Sequence, residues 1–384
     1  MYHQTRTARI RARCLLVTTV ITVVITGCTR EPYDADRKAE LNEGAFTFQV
    51  VIDSESIIKV TSASASDGRM GAAVTSTGWE INVIEESAGA WSEIGTLSGD
   101  GLRTTTVDIS PANGSWWVLA SHLSEGLRLF RVGGGMDASY TIPNYGFTEW
   151  DSISAALATN NAGEPVIMLR ARNEGLFQAT MADTGWALVA LSGSNSNSKV
   201  LDYMITGTDD EYLLYRPLLT GTASVKYSAL DTVRTDPIAR TTEFLSLAPA
   251  SDAVHILGPL SDVDILVLWN IEIGLDVPES IPVHEAFLGH SSVAFTSDDR
   301  PYVICGKYRS SDRFDLVLST RSPDLYNINW DADAILLDAP ILGVQNRMHG
   351  FTVVVDAFDV PHILFLSGNA GSSLSTLYEA VPKS

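Results

Sequence analysis

The chain is short of the features that most often betray a function. It has three cysteines in 384 residues, so no framework of disulfides is available, and nothing in their spacing to histidine resembles a zinc site. No phosphate loop, no Ser-His-Asp order and no glycine-rich dinucleotide fingerprint stands out. Helical periodicity is almost missing after Ala45, which excludes bundles and most α/β folds. Cations are outnumbered, with 26 Lys and Arg against 46 Asp and Glu and a net charge of −20. Such a chain repels nucleic acid on average. The longest uncharged apolar stretch, Cys14 to Gly27, falls short of the roughly 20 residues that cross a bilayer.

That stretch is nevertheless informative. Arg6, Arg9, Arg11 and Arg13 form a basic head before it, and small residues close it, which is the pattern of a secretory signal. Ile25-Thr26-Gly27-Cys28 then resembles the lipobox of bacterial lipoproteins. The resemblance implies cleavage before Cys28, acylation of its thiol with palmitate-like chains, and attachment to a membrane through lipid. Two or three chains hold stably, at about 0.8 kcal/mol per buried CH₂. In that family an Asp after the cysteine favours the inner membrane; Thr29 stands here, which implies the outer membrane or cell surface of the envelope. Residues 1–27 are thus expected to be the signal, residues 28–44 a polar tether, and 45–384 one folded domain. Loss of the four arginines takes the net charge to −24.

The folded part repeats. Short apolar segments follow polar turns: RMGAAV from Arg69, SWWVLA from Ser115, PVIMLR from Pro165, EYLLYR from Glu211, VHILGP from Val254, PYVICG from Pro301 and PHILFL from Pro361. Their starts lie 46, 50, 46, 43, 47 and 60 residues apart, the spacing of four-stranded propeller blades. Third strands follow, WEINVIE from Trp79 among them, and Trp91, Trp186 and Trp330 open fourth strands as packing residues. The last unit lacks a fourth strand, and FTFQVV, Phe46 to Val51, precedes the first with no partner. The expectation is an all-β, seven-bladed β-propeller, with six or eight blades as alternatives, closed by the N-terminal strand completing the last blade. The 60-residue interval is expected to hold an insertion near RSPDLYNINWDAD.

The hairpin turns SASDGRMG, ATNNAGEP and TSDDRP resemble those of sialidase-like propellers with their Asp-box repeats, although the Asp-box residues themselves are missing. Trp150-Asp151 and Trp330-Asp331 do not keep the fixed position of WD repeats. Antiparallel blades would put the turns between strands one and two on one face, rich in acids such as Asp67, Asp209, Asp299 and Asp359. The other face would carry Arg170, Arg172, Arg216, Lys307, Arg309, Arg347 and His349, whose planar guanidinium forks suit carboxylates. These residues are the candidate ligand contacts, for a glycan or another anionic ligand, or for an envelope protein. The functional expectation is a binding or scaffold lipoprotein, more an adaptor than an enzyme, with no catalytic set, metal or cofactor assigned. The alternative is a sialidase-like glycoside hydrolase, with Tyr308 beside the arginines.

Overall fold

The computed structural model describes residues 39–383 apart from 136–137, 143–153, 172–173, 183–184, 218–222, 230–231, 238–244, 252, 261–264, 273–274, 276–277, 282, 284–285, 311–312, 322–328, 341–349 and 369–374. The expected signal, Cys28 and the tether up to residue 38 lie outside the described residues, as do Arg172, Arg347 and His349. No described residue is helical.

Seven sheets form the body. Blade 1 is β3 (Ile57–Ser64), β4 (Met70–Ser76), β5 (Ile81–Ser87) and β6 (Ala90–Leu97). Blade 2 is β7 (Leu102–Ala112), β8 (Ser115–His122), β9 (Gly126–Val132) and β10 (Ala138–Ile142). Blade 3 is β11 (Ala155–Thr159), β12 (Pro165–Ala171), β13 (Gly175–Ala182) and β14 (Gly185–Ala190), and blade 4 is β15 (Lys199–Ile205), β16 (Glu211–Arg216), β17 (Ser224–Ala229) and β18 (Thr232–Pro237). Blade 5 is β19 (Ser246–Pro249), β20 (Val254–Leu260), β21 (Ile265–Asn270) and β22 (Glu279–Ser280). Blade 6 is β23 (Ala286–Phe295), β24 (Pro301–Ser310), β25 (Arg313–Arg321) and β26 (Trp330–Pro340), with β1 (Glu40–Leu41) on its outer edge. Blade 7 is β27 (Phe351–Val355), β28 (Pro361–Gly368) and β29 (Ser375–Pro382), and β2 (Phe46–Glu55) supplies its fourth strand. First strands touch in the cycle β3, β7, β11, β15, β19, β23, β27 and back to β3, so they surround the axis of a closed ring. The seven-bladed β-propeller closed by its N-terminal strand is therefore what the chain forms, with Phe46 opposite Pro382 and Phe48 opposite Ala380.

The recurring apolar segments are the second strands, and their composition follows from their place. A second strand sits inside its sheet with a neighbouring blade against each face, so both faces are apolar and alternation disappears. β8 is buried along its whole length. Adjacent residues feed different interfaces: Ala72 packs between blades 7 and 1 and Ala73 between blades 1 and 2. Leu213 and Leu214 do the same on either side of blade 4, and Ile256 and Leu257 on either side of blade 5. Outer strands alternate or face water, as β14 does.

The boundary of the tether needs correction. The tether was expected to reach Gly44, but Glu40 and Leu41 pair with Leu337 and Leu336, and Asn42 bonds Ile335 and Ala334 through its backbone and side chain. Backbone hydrogen bonds hold that strand, and they leave little trace in side-chain pattern. Part of the 60-residue interval is strand length, since β24, β25 and β26 run to 10, 9 and 11 residues, and most of the segment expected to hold an insertion, 322–328, lies outside the described residues.

Candidate functional site

Turns between first and second strands form one face and lace the ring. The Asn161 amide donates to Asp209 at 2.9 Å, the Ser251 amide and hydroxyl to Asp299 at 2.6 Å each, and the Ser297 amide and hydroxyl to Asp359 at 2.6 Å each. Each bond joins one blade to the next. Asp209, Asp299 and Asp359 stand at φ of 62°, 64° and 63°. Asp tolerates this left-handed conformation, which most side chains avoid. The Ser297 bonds hold the Asp359 carboxyl below its ordinary pKa, as Arg69 does for Asp67.

Around the axis lie three ionisable groups that sequence reasoning missed. Lys59 on β3 donates to the Val107 carbonyl at 2.9 Å. Asp108 on β7 accepts from its neighbour Ile109 and from Leu157 of the next blade, both at 2.9 Å. Asp202 on β15 repeats the device with Tyr203 at 2.8 Å and Leu247 of the next blade at 2.7 Å. Strand irregularities, between Arg103 and Val107 and between Val200 and Asp202, aim these carboxylates sideways. Burial pushes Asp108 up and Asp202 up to about 7, the latter helped by the charge of Asp108. Burial lowers Lys59, against the pull of Asp108. The signal that would have found them is a lone charge inside an apolar first strand.

The opposite face carries the predicted cations, and the described ones fall into two groups. Arg170 ends β12, where its amide donates to Ser154; the Ser154 hydroxyl donates to Val200 beside Lys199. Lys199 opens β15 directly opposite Arg216 at the end of β16. Burial lowers the Arg170 guanidinium. Arg216 is buried and Lys199 half-buried. Lys307 and Arg309 belong to blade 6, are exposed, and sit apart from the first group, with Arg309 3.4 Å from Asp315. His122 is held between two loops, its Nε2 3.1 Å from the Asp100 carbonyl and its Nδ1 accepting from the Glu125 amide at 3.3 Å.

A cleft of about 310 Å³ opens between blades 3 and 4 over Met168, Gln178, Leu191, Tyr203, Glu211 and Lys226. Gln178 donates to Tyr203 at 3.0 Å and to Glu211 at 2.9 Å. Among the described residues no group of His, Cys, Asp and Glu could hold a metal ion. Cys305 is free and buried, its thiol pushed up to about 12 by that burial. The fourth-strand tryptophans pack and bridge as expected: Trp91 donates to Glu379 at 2.7 Å and Trp330 to Glu279 at 2.9 Å.

No protein-family model and no curated protein matches the chain. Solved structures do resemble it. One is AofleA from Arthrobotrys oligospora, at 12% identity over 77% of this chain and 91% of that one, with a TM-score of 0.52. Another is the WD40 repeats of RRP9, at 10% identity over 90% and 100%, TM-score 0.54. A third is YCF48 bound to D1 peptide, at 9% identity over 91% and 98%, TM-score 0.51. At such identities the likeness is one of fold, and the fold this chain shares with them is the β-propeller.

Proposed function

We propose that the chain is an exported lipoprotein, anchored through Cys28 in the cell envelope, whose propeller binds an anionic glycan or similar ligand on the face bearing the turns between second and third strands. The observation that carries this reading is the facing pair Lys199 and Arg216, with Arg170 on the adjacent blade. Cationic side chains brought opposite one another by register concentrate positive charge at one place on that face, and a planar guanidinium suits a carboxylate. Lys307 and Arg309 extend the cationic character of that face to blade 6. Propellers such as the fucose-specific lectin from Aleuria aurantia, TM-score 0.50 at 10% identity over 75% of this chain and 98% of that one, show the fold used for sugar recognition.

A glycan array probed with the soluble form that begins after Cys28 tests the reading. Binding without turnover is expected, weakened at least tenfold by Lys199→Gln with the melting temperature of the variant measured alongside. Absence of any bound glycan refutes it, and turnover would favour the sialidase-like hydrolase instead. Palmitate labelling in the producing cell tests the anchor: the label enters the parent and not Cys28→Ser, and a labelled variant would discard the lipidation site.

A further inference from the structure

We propose that Trp79 and Arg103 together form a contact for a carboxylated sugar, an inference that rests on the ligand-binding reading of the same face and names its ligand class. Trp79 lies in the turn between β4 and β5, where the Ser76 amide donates to Glu80 at 3.0 Å and the Trp79 amide to Ser76 at 3.2 Å. The expected third strand began at Trp79; the chain instead turns there, and β5 starts at Ile81. This five-residue turn recurs on the opposite face, and its left-handed position is filled there by Gly68, Gly163, Asp209, Asp299 and Asp359. Those residue types accept the conformation readily. In the Trp79 turn the same position, at φ 64°, holds an indole, with Gly78 beside it unused for the purpose. A bulky side chain in that region is an outlier, and such outliers gather at functional sites.

What the strain achieves is presentation. Trp79 remains 40% exposed, while the tryptophans of the interior, such as Trp116, are fully covered. Arg103, near the start of β7 on the next blade, places its guanidinium 4.7 Å over the Trp79 ring. Its own carbonyl is fixed by the Ser121 hydroxyl at 3.0 Å, and its Nη1 donates to Leu102 at 2.8 Å. Leu123, 48% exposed, belongs to the same blade as Arg103, its amide donating to the Gly101 carbonyl at 2.6 Å. The guanidinium covers part of the indole, and the part left exposed, with the planar cationic fork at its side, suits a ligand with a flat C–H face and a carboxylate on one molecule. A sugar acid has both. A neutral sugar has no charge to match the guanidinium, and a bare phosphate has no apolar face to match the indole.

The test uses the full-length protein in detergent, titrated with a hexuronate oligosaccharide and with its carboxyl-reduced neutral counterpart. Binding of the acid is expected to exceed that of the neutral form by at least tenfold. Trp79→Asn, which suits the left-handed backbone, should lose binding tenfold or more with its melting temperature essentially unchanged, whereas Trp79→Phe stays within about threefold of the parent. Arg103→Gln should abolish the preference for the acid. Equal binding of the two oligosaccharides, or full binding by Trp79→Asn, overturns the inference. So does a parent that ignores the hexuronate while binding other array glycans, which leaves the broader reading standing; a parent that binds no glycan ends both.

Discussion

Replacing Asp202 by Asn should flatten the pH dependence of stability, and the size of the effect follows from the site. In the folded ring the Asp202 carboxyl titrates at about 7, against an ordinary value of 3.8. Between those values the folded protein holds a proton that the unfolded chain has released. The stability this proton uptake confers is fully present below the unfolded value and is lost as pH rises toward the folded one. The slope is about −1.4 kcal/mol per pH unit, and across the window the loss sums to about 4 kcal/mol. Asp202 is half-buried, and solvent screening makes these upper limits. At about 2 cal/mol/K of unfolding entropy per residue, a propeller of this size loses about 2 °C in melting temperature per pH unit. Asn keeps one acceptor for Tyr203 or Leu247 and turns an N–H toward the other amide, so Asp202→Asn starts out less stable. Scanning calorimetry of both proteins from about pH 4.5 to about pH 7.5 separates the two effects, because every other group cancels in the difference except Asp108, which acts in the same direction. The advantage of the parent should shrink steadily with pH. Two parallel curves would refute the claim that this carboxylate carries its proton into the neutral range.

Other expectations concern the ring itself. Gly71→Ala should cost about 1–3 kcal/mol in denaturant unfolding, because the new Cβ would lie 2.5 Å from the Trp116 ring, within a closed interface; an unchanged midpoint would mean that the interface yields. Asp359→Ala removes two hydrogen bonds to Ser297 and puts alanine at φ 63°, and a loss of about 2 kcal/mol is expected, with Asp359→Gly recovering the backbone share. His362 loses by burial but gains more from Glu379 at 2.6 Å and Asp356 at 3.4 Å, so its pKa is raised, and its contribution is present below about 6.5 and lost as pH climbs through the raised value. Glu379→Gln should bring the His362 titration, followed by NMR, down toward the ordinary range.

How much of this could be read from the residues depends on how far a residue's partners are shared by the repeat. Second strands face a neighbouring blade on both sides, so segments such as SWWVLA and EYLLYR announce themselves as unbroken apolar runs. The unpartnered FTFQVV in front and the missing last strand behind made ring closure legible as well. Asp108 and Asp202 left only a lone charge in a first strand as a trace, because the second amide each holds belongs to the next blade, 49 and 45 residues away. Trp79 misled for the opposite reason: an aromatic before an alternating run looks like the first residue of a strand, and nothing local distinguishes it from a turn residue paying for exposure. Of the basic set, the pairing of Lys199 with Arg216 emerged only with register, and Lys199 had drawn no notice.

The placement of the acids changes what the net charge of −20 means for a ligand. In blades 1 to 3 the left-handed turn position is glycine, which meets the conformational demand and no more. There the join to the next blade is made elsewhere, as when Asn113 donates to Ala162 or Trp117 to Gly163. In blades 4, 6 and 7 Asp209, Asp299 and Asp359 meet the same demand and also accept the bonds that tie one blade to the next. Part of the acidity on that face is therefore a consequence of building a ring from strands that touch only at their edges and faces, and it lies on the side away from Arg103, Arg170, Lys199 and Arg216. Electrostatic repulsion between exposed charges fades over about 8 Å at physiological salt. An anion approaching the opposite face thus meets the local cations rather than the sum over the whole chain, and an overall negative charge is no argument against an acidic ligand there.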